Sequence, residues 1–510
     1  MRRLVLLVIA FAALGSGTAE AHGIGQRYDL PVPLWLYLYG AAAAVVVSFI
    51  LVGIFVGART GPARYPRYDL LRTPVIGSVL RSQAAAALVQ ALGVALFALV
   101  LATSLFGTEN PIANFTPTFV WVIWWVGLFF FTALVGDLWR LLNPWRTLFV
   151  LGDRLARALG RRAGLDLGHL YPLEWGSWPA VLLYAGFVWI EVVYAGAPEP
   201  RAIGVLVLLY SALTWGGVAA FGAEEWLRRA DPFTVLFGVV ARFAPTEIRV
   251  RDRAVCAECE ACIDTSECVG CYECWAAAPV AKRELALRPW GAGLLRPVAL
   301  GPGGVAFVVL MLATVSFDGL AVTGAWGRLG DALMPFVIAL RVPRQELVGT
   351  VGLPAVGLVF FLAYYLITRT VAAHLERPGA RVAEAFVLSL VPIALAYHAA
   401  HYYTLFLGYA PTIVPLLSDP FGWGWDLLGV RRTVTPEVVL NAAFVWYSQV
   451  ALIVAGHAGA VYLGHRIALQ VAPSARAALH SQRPMLGLMV LYTVLSLWIL
   501  AQPVVSETRL

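Results

Sequence analysis

Ten apolar runs, each near the ~20 residues that a helix needs to cross a hydrocarbon core about 30 Å thick, decide what this chain can fold into. They lie near 34–57, 83–106, 117–141, 176–197, 202–222, 302–322, 347–368, 385–408, 438–464 and 485–505. A lipid-embedded segment must satisfy its own backbone hydrogen bonds, so each run reads as a helix. The expected fold is an all-α, polytopic transmembrane helix bundle of about ten spans in two groups of five. Composition agrees, since the 510 residues are 60% hydrophobic and 13% charged. Soluble domains carry about 25% charged residues.

The N-terminus reads Met1-Arg2-Arg3, then an apolar run from Leu4 to Leu14, then Ala19-Glu20-Ala21. This is the pattern of a cleavable signal peptide, with a run too short to span, and it predicts a mature chain starting at His22. The expected division is residues 1–21 as signal peptide, 22–222 as a first membrane half, 223–297 as a cytoplasmic loop, and 298–510 as a second half. Of 37 basic residues only Lys282 is a lysine. The net charge of +7 therefore comes from arginines in short loops, which points to the positive-inside rule and not to a nucleic-acid partner. With the mature N-terminus outside, 27 basic residues fall on the cytoplasmic side and 8 outside, Arg2 and Arg3 remaining in the signal. That predicts a multi-pass protein of the bacterial inner membrane with both mature termini outside. An odd number of spans in each half is also the arithmetic of an inverted-repeat transporter. Residues 147–162 alternate apolar positions with arginines and predict a basic amphipathic helix at the inner surface. The loop from Tyr409 to Glu437, rich in Pro, Gly and Trp, is expected to cap the outer face.

Every cysteine lies in Cys256-x2-Cys259-x2-Cys262-x5-Cys268-x2-Cys271-x2-Cys274. Closely spaced thiols suit one metal centre, because a short loop turns both sulfurs of a pair to the same side. In a reducing compartment stable disulfides are disfavoured, leaving zinc or an iron-sulfur cluster as the expected cofactor and a metal-free, redox-labile loop as the alternative. The triplets resemble ferredoxin ligand runs but lack the Cys-Pro signature, while the outer pairs equally suit a zinc clip.

A second constellation lies inside the membrane. His398 and His401, three residues apart on the eighth span, share a helical face, and Asp318 falls at the outer end of the sixth span at similar depth. Ionisable groups in the bilayer are costly and usually functional. His22, once exposed by cleavage, would add an imidazole and an α-amine on the same side. His22, Asp318, His398 and His401 together have the donor mix for a divalent metal, zinc or copper, or non-haem iron. Paired histidines also suit haem, and the bland alternative is hydrogen bonding within helix interfaces. His457, with Gln449 and Tyr447 above it, could line a polar path, whereas His465 beside Arg466 reads as interfacial.

The chain has no P-loop, Gly-x-Ser-x-Gly elbow or His-Glu-x-x-His, so any chemistry must be built across helices. Its short motifs include His22-Gly23-Ile24-Gly25 with Asp29-Leu30-Pro31-Val32-Pro33, Gly136-Asp137-Leu138-Trp139-Arg140 with Asn143-Pro144-Trp145, and Phe317-Asp318-Gly319. Others are Ala400-His401-Tyr402, Ser418-Asp419-Pro420 with Trp425-Asp426, Gly456-His457 and Leu491-Tyr492-Thr493. By these motifs, which reach across both membrane halves, the chain resembles the membrane-integral fenitrothion hydrolase family. The cysteine loop looks like an elaboration on that pattern. The resemblance implies hydrolysis of the P–O–aryl bond of lipophilic organophosphorus triesters. A bound metal would activate water there, with Asp318, His398 and His401 as the catalytic and ligating residues. Two other classes stand beside it: copper or haem handling, respiratory-complex assembly or electron transfer with another membrane subunit, and transport.

Overall fold

The computed structural model describes residues 21–23, 26–28, 33–55, 65–251, 253–256, 268–296, 300–430 and 440–502. The expected signal sequence up to Glu20, and Cys259 and Cys262, lie outside the described residues. A short antiparallel hairpin, β1 (Ala21–Gly23) and β2 (Gln26–Tyr28), pairs His22 with Arg27 through the backbone. The rest is a helical bundle with one small sheet, and the chain is a multi-pass membrane protein.

Nine helices among the described residues are long and apolar enough to cross a membrane by length and composition. In the first half these are α1 (Leu34–Phe55), α2 (Gln83–Phe106) and α3 (Phe115–Leu134). The basic amphipathic α4 (Pro144–Ala158) follows, started by the Asn143 side chain accepting from the Arg146 amide with Pro144 in the first turn. Next comes α5 (Trp178–Val192), which at 15 residues is shorter than the expected 176–197 run. Gly196 and Pro198 lie four and six residues past its end, and neither sustains a helix in this stretch. The long α6 (Pro200–Phe221) completes the group. Within α3, residues Thr118–Gly127 wind as a π-helix.

The structure departs most from expectation just after α6, where a loop is expected. Residues 223–241 instead form a hairpin of two short helices, α7 (Ala223–Arg229) and α8 (Pro232–Ala241). The Trp226 ring stacks on Phe221, and Asp231 accepts a 2.7 Å hydrogen bond from Tyr210, halfway along α6. The chain thus turns back by about 16 Å at 1.5 Å per residue before α8 returns it. Phe233, Leu236, Phe237 and Val240 of α8 are buried in the main core. Asp231 is tolerated there because it caps α8, accepting from the Phe233 amide at 3.0 Å and the Thr234 hydroxyl at 2.6 Å.

After the hairpin the chain leaves the bundle and forms a four-stranded antiparallel sheet in the order β3 (Tyr68–Asp69), β6 (Arg283–Leu287), β4 (Thr246–Val250), β5 (Cys268–Val269). One helix, α9 (Tyr272–Ala277), packs beside it. Arg288 joins sheet to bundle. Its guanidinium pairs with the buried Glu247 carboxylate and donates to the carbonyls of Ala241, Arg242 and Ala244 at the C-terminal end of α8.

The second half contains α10 (Gly301–Ala321), α11 (Arg344–Leu375), α12 (Val391–Tyr409), α13 (Ala442–Val471) and α14 (Arg483–Leu500). Burial separates them: 78% of the most apolar window is buried for α10 and for the segment containing α12, against 11% for α1 and α2. The helices α10 and α12 are therefore central, and both carry the ionisable residues. Helix α12 runs along α13, where Gly456 permits the approach, since a Cβ there would lie 2.3 Å from the Ala396 side chain.

Candidate functional site

The polar centre of the bundle is assembled from α3, α5, α10 and α12. Phe317-Asp318-Gly319 places it on α10: Phe317 is fully buried, Asp318 points to α12, and Gly319 leaves room for the Tyr397 hydroxyl, which a Cβ would meet at 2.7 Å. His401 Nε2 lies 2.8 Å from Asp318 Oδ2, and the next residue, Tyr402, donates to the same oxygen at 2.6 Å. Tyr402 also reaches Glu191 Oε1 at 3.1 Å, and that oxygen accepts from Trp125 Nε1 at 2.5 Å.

Three helices therefore bring two carboxylates to one phenol, which carries a single proton. Among the described residues the basic partner of this pair is His401 alone, with no arginine in reach of a salt bridge. Two carboxylates without a fixed cation are costly in an apolar interior when both are ionised, which makes this cluster the candidate site. Asp318 and His401 are each about one fifth exposed, at 20% and 22%, so the dyad is held by protein yet reachable.

His398 takes a different position from the one expected. It is buried in an aromatic box, stacked on Phe129 at 3.8 Å between ring centroids, with Tyr402 at 4.6 Å and Trp125 at 6.0 Å. Its Nε2 has no hydrogen-bond partner among the described residues. Beside it a void of about 10 Å³ is lined by Glu191, His398, Thr314, Tyr184 and Tyr402, room for about one water. The His22 side chain lies outside the described residues.

Of the four expected outer ligands, then, Asp318 and His401 meet. Among the described residues, the one set of three His, Cys, Asp or Glu donors within 4.8 Å of one another is Cys256, Cys268 and Cys274, at the sheet. Cys271 is half-buried beside them.

His457 is fully buried on α13, bonded through Nδ1 to Ile453 O at 2.8 Å, with Nε2 unpartnered among the described residues. Its ring faces Tyr492 at 5.7 Å, and Tyr492 bonds Ser316 at 2.5 Å. Tyr447 points out of the bundle and Gln449 donates to Ala400 O, so neither extends that path. His465 is buried against the neighbouring helices and pairs with Gln482 at 3.0 Å.

Sequence reasoning passed over Glu191, although Trp189-Ile190-Glu191-Val192-Val193 set a lone acid in an apolar run. It named Tyr402 only within the motif Ala400-His401-Tyr402 and passed over Trp125, and both roles need the tertiary contact to be seen. On the far side of the Trp125 and Phe187 rings lies an apolar cavity of about 430 Å³, walled by Trp121, Trp124, Trp139, Trp145, Phe187 and Phe233. Comparison with protein-family models, curated proteins and solved structures gave no match.

Proposed function

We propose that the chain is a membrane hydrolase of lipophilic esters, with organophosphorus triesters as the substrate class and Asp318–His401 as its acid–base dyad. The observation that carries this reading is the 2.8 Å contact between Asp318 and His401 at a partly reachable place in the bundle. A carboxylate on Nε2 fixes the tautomer and leaves Nδ1 to accept a proton. His401 Nδ1 takes the proton of a water as its oxygen bonds to phosphorus. The P–O bond to the aryl group breaks, and the aryloxide leaves with the bonding electrons. Tyr402 and Glu191 hold the Asp318 carboxylate in place, and the aromatic-walled cavity one ring layer away suits lipophilic molecules. This step uses only the free Nδ1 of His401 and the Asp318 carboxylate, and it is routed through no metal.

The test uses the whole chain in liposomes and a nitrophenyl phosphotriester, reading nitrophenolate release. Wild type should release it well above empty liposomes, and His401→Ala should lose about 10²-fold or more, as expected for a general base. Wild type at the background rate would sink the hydrolase reading.

A second reading, proton-coupled transport, is favoured by one observation: among the described residues the buried Tyr397 hydroxyl and His457 Nε2 have no hydrogen-bond partner. Groups of that kind call for water, and a file of water would carry protons. Dye-reported acidification of the same liposomes without ester cleavage would select it.

The span count belongs to the same proposal. We count α5 as a crossing, giving ten spans in two groups of five, with both mature termini outside the bacterial inner membrane. Reporter fusions after Arg296 should report cytoplasm, and fusions after Gly107 and Leu510 the exported side. A cytoplasmic C-terminus would overturn this topology and place the dyad on the inner face.

A further inference from the structure

We propose that Cys256, Cys268 and Cys274 hold a single zinc ion that staples the sheet domain together and seats it on the membrane body. The three thiols come from three separate pieces of chain: the turn after β4, strand β5, and helix α9. The backbone pairing Val250↔Cys268 and the packing of α9 on β4 bring them to one point. All three are buried, and their sulfurs lie within 4.8 Å of one another.

That spacing decides between the two expected cofactors. A tetrahedral ion with Zn–S bonds of about 2.3 Å holds its sulfurs about 3.8 Å apart. A multi-iron cluster hangs its thiolates on different irons and spreads them more widely. Three sulfurs this close suit one ion, with a fourth position open to a further donor.

The packing around the thiols is the second observation. The core of this corner comprises Val250, Cys256, Cys268, Cys274 and Ala278, so three of its five buried members are thiols. Such a core is too small to hold a two-residue strand and a one-turn helix in place by apolar burial alone. A structural metal supplies what the core lacks.

The staple also has something to position. Helix α9 presents Tyr272 to Arg140, whose guanidinium lies 4.4 Å from the ring centre, and Glu273 to Arg228 on the α7–α8 hairpin at 3.7 Å. Arg140 follows α3 and Arg228 belongs to α7, so the thiol corner is clamped to two elements of the bundle. This inference stands apart from the hydrolase reading, because none of its residues touches the dyad.

The experiment is elemental analysis of the full chain purified in detergent, together with the optical spectrum after exchange with cobalt(II). About one zinc per chain is expected, and the cobalt form should show the charge-transfer and ligand-field bands of a tetrahedral thiolate site. Cys268→Ser and Cys274→Ser should each cut bound zinc below about one tenth of wild type. Zinc retained in both variants, or iron accompanied by acid-labile sulfide, would overturn the proposal. If the variants aggregate, wild type decides alone: no stoichiometric metal, or a cobalt spectrum without thiolate bands, defeats it.

Discussion

Replacing Asp318 with asparagine should lower phosphotriester turnover by about 10³-fold while leaving the yield of folded, monodisperse protein unchanged. The amide keeps the shape of the carboxylate but not its charge, so it no longer holds the His401 proton on Nε2 or stabilises the imidazolium that forms as water is deprotonated. The Tyr402 hydroxyl can donate to Glu191, which it already reaches at 3.1 Å, and that is why folding should survive. Because Asp318 and His401 act as one unit, adding His401→Ala should cost less than about threefold more. Glu191→Gln should be milder, about tenfold, since Glu191 touches the dyad only through Tyr402. Rates that fall additively, in step with folded yield, would mark the cluster as structural and remove the mechanism.

Arg288→Met should lower stability by about 2–3 kcal/mol, because the buried Glu247 loses one of its two cations and keeps Arg67 at 3.1 Å. Arg288 is only 4% exposed and Glu247 3%, so solvent cannot replace the lost partner. The substitution also strips donors from the carbonyls of Ala241, Arg242 and Ala244, where α8 leaves the bundle. Glu247→Gln should cost less, because Tyr65 and Arg67 remain beside that side chain and an amide still accepts a hydrogen bond. The midpoint of unfolding in mixed micelles of rising SDS content measures both. Equal midpoints for Arg288→Met and wild type would show that the sheet and the bundle are held together elsewhere.

Much of the bundle was legible because length and apolarity are what a membrane demands, and nine of ten expected runs became long helices. The exception, α5, is cut short by Gly196 and Pro198, punctuation that a hydropathy window averages away. The hairpin at 223–241 was illegible for a different reason. The ten residues of α8 are too few to span, so they read as loop, and only burial against α3 and α5 makes them core. At the site, the shared depth of Asp318 and His401 followed from counting turns, and the contact bears that out. That His398 packs into an aromatic box and not onto Asp318 did not follow, because the two histidines share a helical face and the rings that claim His398 come from α3. Several short motifs mark packing and turns. Gly456 lets two helices cross, Asn143-Pro144 begins α4, and Asp419 accepts from the amides of Trp423 and Gly424 to close a loop.

The π-helical stretch of α3 has a consequence for how this site can change over time. With each amide reaching back one residue further than in an α-helix, a turn holds an extra residue, and Trp121, Trp124 and Trp125 fan out over an unusually wide arc. Trp121 donates to Ala197 O, Trp124 walls the cavity, and Trp125 holds Glu191. Loss of one residue between Thr118 and Gly127 would let part of the segment rewind as ordinary α-helix at little cost to membrane insertion, yet re-aim every side chain of the stretch beyond the deletion. Point substitutions along this span alter one contact at a time. A change in its length re-indexes the whole wall at once, so cavity and carboxylates are inherited as a single reading frame of side chains.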